Sequence, residues 1–360
     1  MSLPSSHSPV KVLIADDSSF MRAALSRMVE SDESLCVVGT AETGLETLEK
    51  IGELQPDVVT LDIDMPGLSG LETLKRVMSE TPRPVIIVSS TARRGAEDTI
   101  EALALGAFDC IAKQLSYDSV DVLKVQNELV SKIKAAAGPR VAAPRVSSPV
   151  DRPTVDFAPA TTVTVPKIVA IGTSTGGPKA LQEVLSALPA DLPIGILVVQ
   201  HMPAGFIGPF ARRLNDLCPL KVHEAEEGDL ITAGHVYFAP AGKHLTVRRR
   251  SSSEAALHLS LLPSDLAHIP SVDVMMSSVA EVFGCSAMGI ILTGMGDDGA
   301  LGMQAIFREG GLTLGQDEAT CVVYGMPRSC AEIGVLRRVA PLRDIPRHIL
   351  DALGYPEPHY

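Results

Sequence analysis

Short apolar runs recur along this 360-residue chain, each closed by a polar residue and most followed by a stretch of helical period. In the first third they are Val10–Ala15, Cys36–Thr40, Val58–Leu61, Pro84–Ser89 and Cys110–Ile111. Helical patterns lie between and after them, over Ser19–Glu30, Gly44–Leu54, Gly70–Glu80, Ala96–Leu105 and Val120–Lys134. Strands alternating with helices at this spacing are joined by crossovers, so they predict a parallel sheet with helices on both faces. In such a sheet ligands bind beyond the carboxyl ends of the strands, where residues distant in sequence share one rim. The pattern stops at 135–166, where Pro139, Pro144, Pro149, Pro153, Pro159 and Pro166 exclude a helix, and it resumes at Ile168. The expectation is two doubly wound parallel-sheet α/β domains, 10–134 and 167–355, joined by a Pro/Ala-rich linker over 135–166. A short strand at 161–165 is the alternative within the linker. As a flexible chain, about 30 linker residues reach roughly 30 Å.

The rim of the first domain carries Asp16, Asp17, Asp62, Ser89 and Lys113. Any one of these acids is explained by capping the helix that follows its strand. Together they are not. Converging carboxylates repel, and a divalent cation with hard oxygen ligands and few protein contacts, Mg²⁺, relieves that repulsion. A hydroxyl and an ammonium on the same rim suit a phosphoryl group. Over its whole length this segment resembles a response-regulator receiver domain, which is flavodoxin-like. The resemblance implies that Asp62, in LDIDMPGLSG, is the phosphoacceptor and that Asp16 and Asp17 bind Mg²⁺ with it. It also implies that Ser89 is the switch hydroxyl and Lys113 the phosphate-sensing lysine. Two positions depart from the family pattern. Gln114 stands where a proline usually follows the lysine, and Cys110 where an aromatic switch residue usually stands.

The second domain opens on IVAIGTSTGGPK, residues 168–179. A buried strand, a glycine turn with Ser174 in Gly-x-Ser-x-Gly, and a helical pattern over Lys179–Leu188 suggest an exposed nucleophile, with helix N–H groups nearby for an oxyanion. A phosphate-cradling turn fits the stretch equally well when it is taken alone. Two further strands tip the balance: Ile194–Gln200 ends at His201, and Met288–Thr293 runs into Gly-Met-Gly-Asp-Asp-Gly with Asp297 and Asp298. A serine, a histidine and an acid each follow an apolar strand. On parallel strands all three share a rim, as nucleophile, base and orienting acid. The glycines do not fit G-x-G-x-x-G, and no His/Cys spacing suggests zinc.

This half resembles the catalytic domain of the CheB family of chemotaxis protein-glutamate methylesterases, which is Rossmann-like. The resemblance rests on IGTSTGGP, VVQHMPAGF, HVYFAPAGKHL, PSVDVMM, ILTGMGDDGALGM and QDEATCVVYGMP. It implies Ser174 as nucleophile, His201 as base and Asp298 as the third member, with Met295 giving an oxyanion N–H and Thr175 lining the pocket. Ile269 departs from the arginine that often precedes PSVD. The implied activity is hydrolysis of glutamate methyl esters, and deamidation of glutamines, on the cytoplasmic helices of methyl-accepting chemoreceptors. No metal is implied at that site. Phosphorylation of the receiver by a chemotaxis-type histidine kinase is implied to relieve an occlusion of the active site.

A net charge of −12 opposes a nucleic-acid partner. The six cysteines form no C-x-x-C pair, as expected of reduced thiols. No apolar run spans a membrane and the N-terminus lacks a signal-peptide pattern, so a cytoplasmic protein without membrane insertion is expected. Two rival functions stay open from sequence: a phospho-switched receptor- or kinase-docking module without turnover, and a nucleotide-binding or redox domain built on the glycine turn.

Overall fold

The computed structural model describes residues 8–90, 93–113, 119–138, 164–251 and 254–355. The chain divides into two compact units, 1–140 and 141–360. Gln114 lies outside the described residues, as does most of the alternative strand at 161–165.

In the first unit, β1 (Val10–Ala15), α1 (Ser19–Val29), β2 (Leu35–Ala41), α2 (Gly44–Leu54) and β3 (Val58–Asp62) are followed by α3 (Gly70–Glu80), β4 (Val85–Ser89), α4 (Arg93–Ala104), β5 (Asp109–Ala112) and α5 (Ser119–Ala137). The sheet order is β2-β1-β3-β4-β5 and every pairing is parallel. The two central strands β3 and β4 are buried along their full length. Burial on both faces is why these runs are continuously apolar rather than alternating. Three helices start where the chain offers an oxygen cap: Ser18, Thr43 and Ser69, the last in a reciprocal capping box with Glu72. One boundary differs usefully from expectation. α5 runs to Ala137, past Lys134, because alanine carries the helix on until the Gly138–Pro139 break.

The second unit comprises β6 (Ile168–Thr173), α6 (Gly177–Ser186), β7 (Gly195–Gln200), α7 (Ile207–Leu217), β8 (Lys221–Glu224), β9 (His235–Phe238), β10 (His244–Arg249), β11 (Ala255–Ser260) and α8 (Val272–Phe283). It continues through β12 (Ala287–Ile291), α9 (Ala300–Arg308), β13 (Leu312–Gln316), α10 (Met326–Glu332), β14 (Arg338–Ala340) and α11 (Ile345–Ala352). Seven strands pair in parallel in the order β14-β13-β12-β6-β7-β9-β8. β12, β6 and β7 are central, neighbouring and wholly buried. The doubly wound pattern is interrupted once. β10 and β11 form a separate antiparallel hairpin whose inward residues Leu245, Val247 and Leu257 pack with α8 residues Met275, Met276 and Val279 in one core. Among the described residues, no helix is long and apolar enough to cross a membrane.

Candidate active site

The register of three central strands builds the site. Thr173 pairs with Gln200 across β6 and β7, and the His201 N–H donates to the Thr173 carbonyl at 3.0 Å. Ser174 and His201 are therefore next to each other at adjacent strand ends. On the other side of β6, the Ser174 N–H donates to the Thr293 carbonyl at 3.1 Å, just past the end of β12.

Ser174 opens a tight turn in which the Gly177 N–H donates to the Ser174 carbonyl at 2.8 Å. Gly176, at φ 80° and ψ −8°, occupies the third position with the geometry of a type II turn, which favours glycine there. Among described non-glycine residues only Gln55 has positive φ, so Ser174 is not in the left-handed backbone region. The serine is presented by an ordinary glycine turn. Gly177 must also be small, since a Cβ there would lie 2.0 Å from Gln200 Oε1. Pro178, near the start of α6, suits a first turn whose N–H groups have no helical partner.

His201 and Asp298 are joined directly, Nε2 to Oδ2 at 2.8 Å. Asp298 also accepts from the Ser271 hydroxyl at 2.8 Å and from the N–H groups of Val272 and Asp273 at 2.8 and 3.0 Å. It thus sits on the first turn of α8, where a negative charge is favoured. Burial pushes its pKa up, but the His201 hydrogen bond and charge and the two N–H donors outweigh this and hold it at about 2. An ionised carboxylate only accepts, so Nε2 carries the proton and a neutral ring leaves Nδ1 as the basic nitrogen. His201 Nδ1 is buried and has no hydrogen-bond partner among the described residues. The Ser174 hydroxyl is not bonded to it. The structure brings His201 and Asp298 together and sets Ser174 alongside without closing the second bond, as is common before substrate binds.

Met295 follows Gly294 on the loop after β12, half-buried. Gly294 lies so close to the nucleophile that a Cβ on it would stand 2.9 Å from Ser174 Cβ. That close approach brings the neighbouring Met295 backbone beside the nucleophile. Thr175 is buried, and its carbonyl accepts the Thr293 hydroxyl at 3.0 Å. Asp297 is exposed, and its carbonyl accepts the Ala300 N–H at 3.0 Å.

Several residues in this arrangement escaped the sequence reading. Thr293 holds the nucleophile turn. Its carbonyl accepts from Ser174 N–H and, at 2.8 Å, from the Thr173 hydroxyl, while its own hydroxyl accepts from Val322 and Val323 N–H. Gln316, fully buried, fixes Thr293 by accepting its N–H at 2.8 Å. Gln200 Nε2 donates to the carbonyls of both Ser174 and His201 at 2.9 Å, bracing them to each other. Asp273 returns the favour Asp298 receives, accepting Gly299 and Gly302 N–H at the start of α9 at 2.9 and 2.7 Å. Burial raises the Asp273 pKa, with the Asp298 charge adding to it. The available signal was a lone polar residue closing an apolar strand, as in IGILVVQ, MGIILT and LTLGQ.

In the first unit the expected rim also assembles. Asp16 and Asp62 are buried, Asp17 is exposed, and one oxygen from each lies within 4.8 Å of the others. Three hard carboxylates at that spacing fit a divalent cation such as Mg²⁺. The ammonium expected on this rim is there. Lys113 Nζ is 2.7 Å from both Asp16 Oδ2 and Asp62 Oδ2. Burial raises the Asp62 pKa despite this ammonium. Burial pulls the Lys113 pKa down, but the two carboxylates outweigh it and the net direction is upward. The Ser89 hydroxyl donates to the Gly95 carbonyl at 3.3 Å. Cys110 is buried, and burial pushes its thiol pKa up.

A parallel α/β domain with a serine beside a carboxylate-bonded imidazole, preceded by a parallel α/β domain with a buried acidic rim, defines the class of receiver-linked hydrolases. Family models agree: that of the CheB methylesterase matches residues 169–349, and that of the response regulator receiver domain matches residues 12–122. The protein-glutamate methylesterase/protein-glutamine glutaminase 1 of Oleidesulfovibrio alaskensis is 43% identical over 367 residues, covering 96% of this chain and 99% of that protein. The protein of the same activity from Symbiobacterium thermophilum is 45% identical over 364 residues, covering 96% and 98%. The crystal structure of the Thermotoga maritima CheB methylesterase catalytic domain matches with 38% identity and a TM-score of 0.51, covering 52% of this chain and 99% of that one. The chain belongs to the CheB methylesterase family.

Proposed function

We propose that this chain is a phosphorylation-activated serine esterase that hydrolyses glutamate methyl esters, and deamidates glutamines, on the cytoplasmic helices of chemoreceptors. The observation that carries the reading is the 2.8 Å bond between His201 and Asp298 at the strand end next to Ser174. Ser174 Oγ attacks the γ-carbonyl carbon and passes its proton to His201 Nδ1. The oxyanion draws on the Met295 N–H and the α6 N-terminus. His201 returns the proton to the leaving oxygen, methanol departs, and water activated by the same nitrogen frees glutamate and Ser174. With a glutamine the leaving group is ammonia. Thr175 walls the pocket from below. The catalytic domain runs over 167–355, the linker over 135–166 and the receiver over 10–134.

In the receiver, Asp62 accepts a phosphoryl group from a chemotaxis-type histidine kinase. Asp16, Asp17 and Asp62 would hold Mg²⁺, which when bound offsets charge on the phosphoryl oxygens. Lys113 stands to pair with the phosphoryl group, and Ser89 to rotate toward it. The protein works in the cytoplasm, without inserting into the membrane and without binding nucleic acid. Methanol release from methyl-labelled receptor tests the reading. Wild type should release methanol faster with a small-molecule phosphodonor, Ser174→Ala should release none, and Asp62→Ala should keep the basal rate but lose the stimulation. Unchanged release from Ser174→Ala refutes the enzyme and favours the docking module. A stimulation that survives Asp62→Ala refutes the control.

A further inference from the structure

We propose that His268 is a positioning residue for this esterase, acting through His201 by setting the plane of its ring. The inference rests on the ester hydrolysis proposed above. The two imidazoles are stacked, with centroids 4.1 Å apart and planes 14° from parallel. Nothing in the reaction scheme uses His268.

The reason for a second constraint lies in the imidazole itself. Asp298 holds His201 at Nε2. That atom lies off the Cβ–Cγ axis, but less far than Nδ1, so its bond to Asp298 resists rotation about Cβ–Cγ only in part. Nδ1, bonded to Cγ, lies further from the axis and moves more on the same rotation. The Cγ torsion of histidine has a broad profile with no sharp well. A bond at Nε2 therefore fixes the tautomer and restrains the direction of Nδ1 only through the angle of one hydrogen bond. Nδ1 itself has no partner among the described residues. A flat ring lying against the face of His201 supplies the missing constraint, because rotation about Cβ–Cγ drives the ring edge into it.

His268 is held well enough to act as such a wall. It is on the connection from β11 to α8, which is pinned on both sides of it. His244, fully buried, bonds the Pro263 carbonyl through Nε2 at 2.8 Å and accepts the Ser271 N–H on Nδ1 at 3.1 Å. The Gly242 N–H donates to the Ile269 carbonyl at 3.1 Å. The same segment continues into Ser271, Val272 and Asp273, which grip Asp298. One stretch of chain thus sets the acid from one side and the plane of the base from the other. His268 is otherwise exposed, so replacing it costs little burial.

The test uses full-length protein with phosphodonor and methyl-esterified receptor cytoplasmic fragment, and measures kcat and KM for wild type, His268→Ala and His268→Phe. A misdirected base costs the chemical step rather than binding. His268→Ala should lower kcat about ten- to hundredfold with KM within about twofold, and His268→Phe, which keeps a flat ring, should recover most of the loss. A His268→Ala kcat within about twofold of wild type overturns the proposal. So does a loss confined to KM, or a His268→Phe enzyme as slow as His268→Ala. Absence of methanol from wild type instead overturns the ester hydrolysis, and this role with it.

Discussion

At the ends of β1 and β3, Asp16 and Asp62 share a single ammonium, that of Lys113. Past the end of β12, Asp298 meets an imidazole, a serine hydroxyl and two backbone N–H groups. Both rims lie at the carboxyl edge of a parallel sheet and both bury negative charge, yet the pKa shifts have opposite signs. Asp62 is raised by burial and Asp298 is lowered to about 2. Burial raises both, so the donors, together with the like charge of Asp16 beside Asp62, decide the outcome. The difference matches the two chemistries. In the esterase proposed above, Asp298 stays ionised while a proton passes through the ring it holds. In the control proposed above, Asp62 accepts the phosphoryl group, and the ammonium of Lys113 beside it is placed to pair with the new charge.

The strongest way to break this contrast is Asp298→Asn. If the carboxylate fixes the tautomer of His201, kcat for methanol release should fall roughly 10³- to 10⁴-fold with the fold intact. A loss below tenfold would remove Asp298 from the machinery. Acid titration sharpens the comparison with an intermediate effect. The folded pKa of Asp298, about 2, lies below its ordinary value of 3.8, so its contribution is fully present above pH 3.8 and fades as pH falls toward 2. The shift corresponds to about 2 kcal/mol. Asp62, raised, has the opposite sign: protonation as pH falls through its folded pKa favours the folded receiver. Circular dichroism of the catalytic transition should show an acid loss between about pH 4 and 2 that Asp298→Asn lacks. An identical acid profile in the variant would contradict the assignment. The smallest effect is expected one residue away. Asp297 is exposed and contributes only its backbone, so Asp297→Asn should change kcat by less than about twofold. A large loss there would mean that the two acids had been assigned the wrong way round.

Much of the site was readable because strand ends are local features. Ile168–Ile171, Ile194–Gln200 and Met288–Thr293 announce themselves by composition, and a parallel sheet then puts Ser174, His201 and Asp298 on one edge. The receiver rim followed in the same way from Asp16, Asp62, Ser89 and Lys113. What escaped was pairing between polar groups. That Lys113 pairs with Asp16 and Asp62 both is a pairing the rim's composition alone does not give. The Ser89 hydroxyl's bond to the Gly95 carbonyl is another. The bracing roles of Thr293, Gln316, Gln200 and Ser271 have no signature beyond a polar residue in an apolar setting. The antiparallel pair β10–β11 likewise broke the expected doubly wound pattern.

The chain's own pattern of apolar runs and helix caps determined most elements of the first unit and the three strands whose ends carry Ser174, His201 and the loop to Asp298, since each depends on contacts within a few residues. Tertiary structure alone decided the order β12-β6-β7 and the partners that follow from it. It chose which nitrogen of His201 faces Asp298, 97 residues away, and which ring lies against its face. A hydrogen bond needs its two atoms placed to within a few tenths of an ångström, and across such separations only the packed core sets positions that finely.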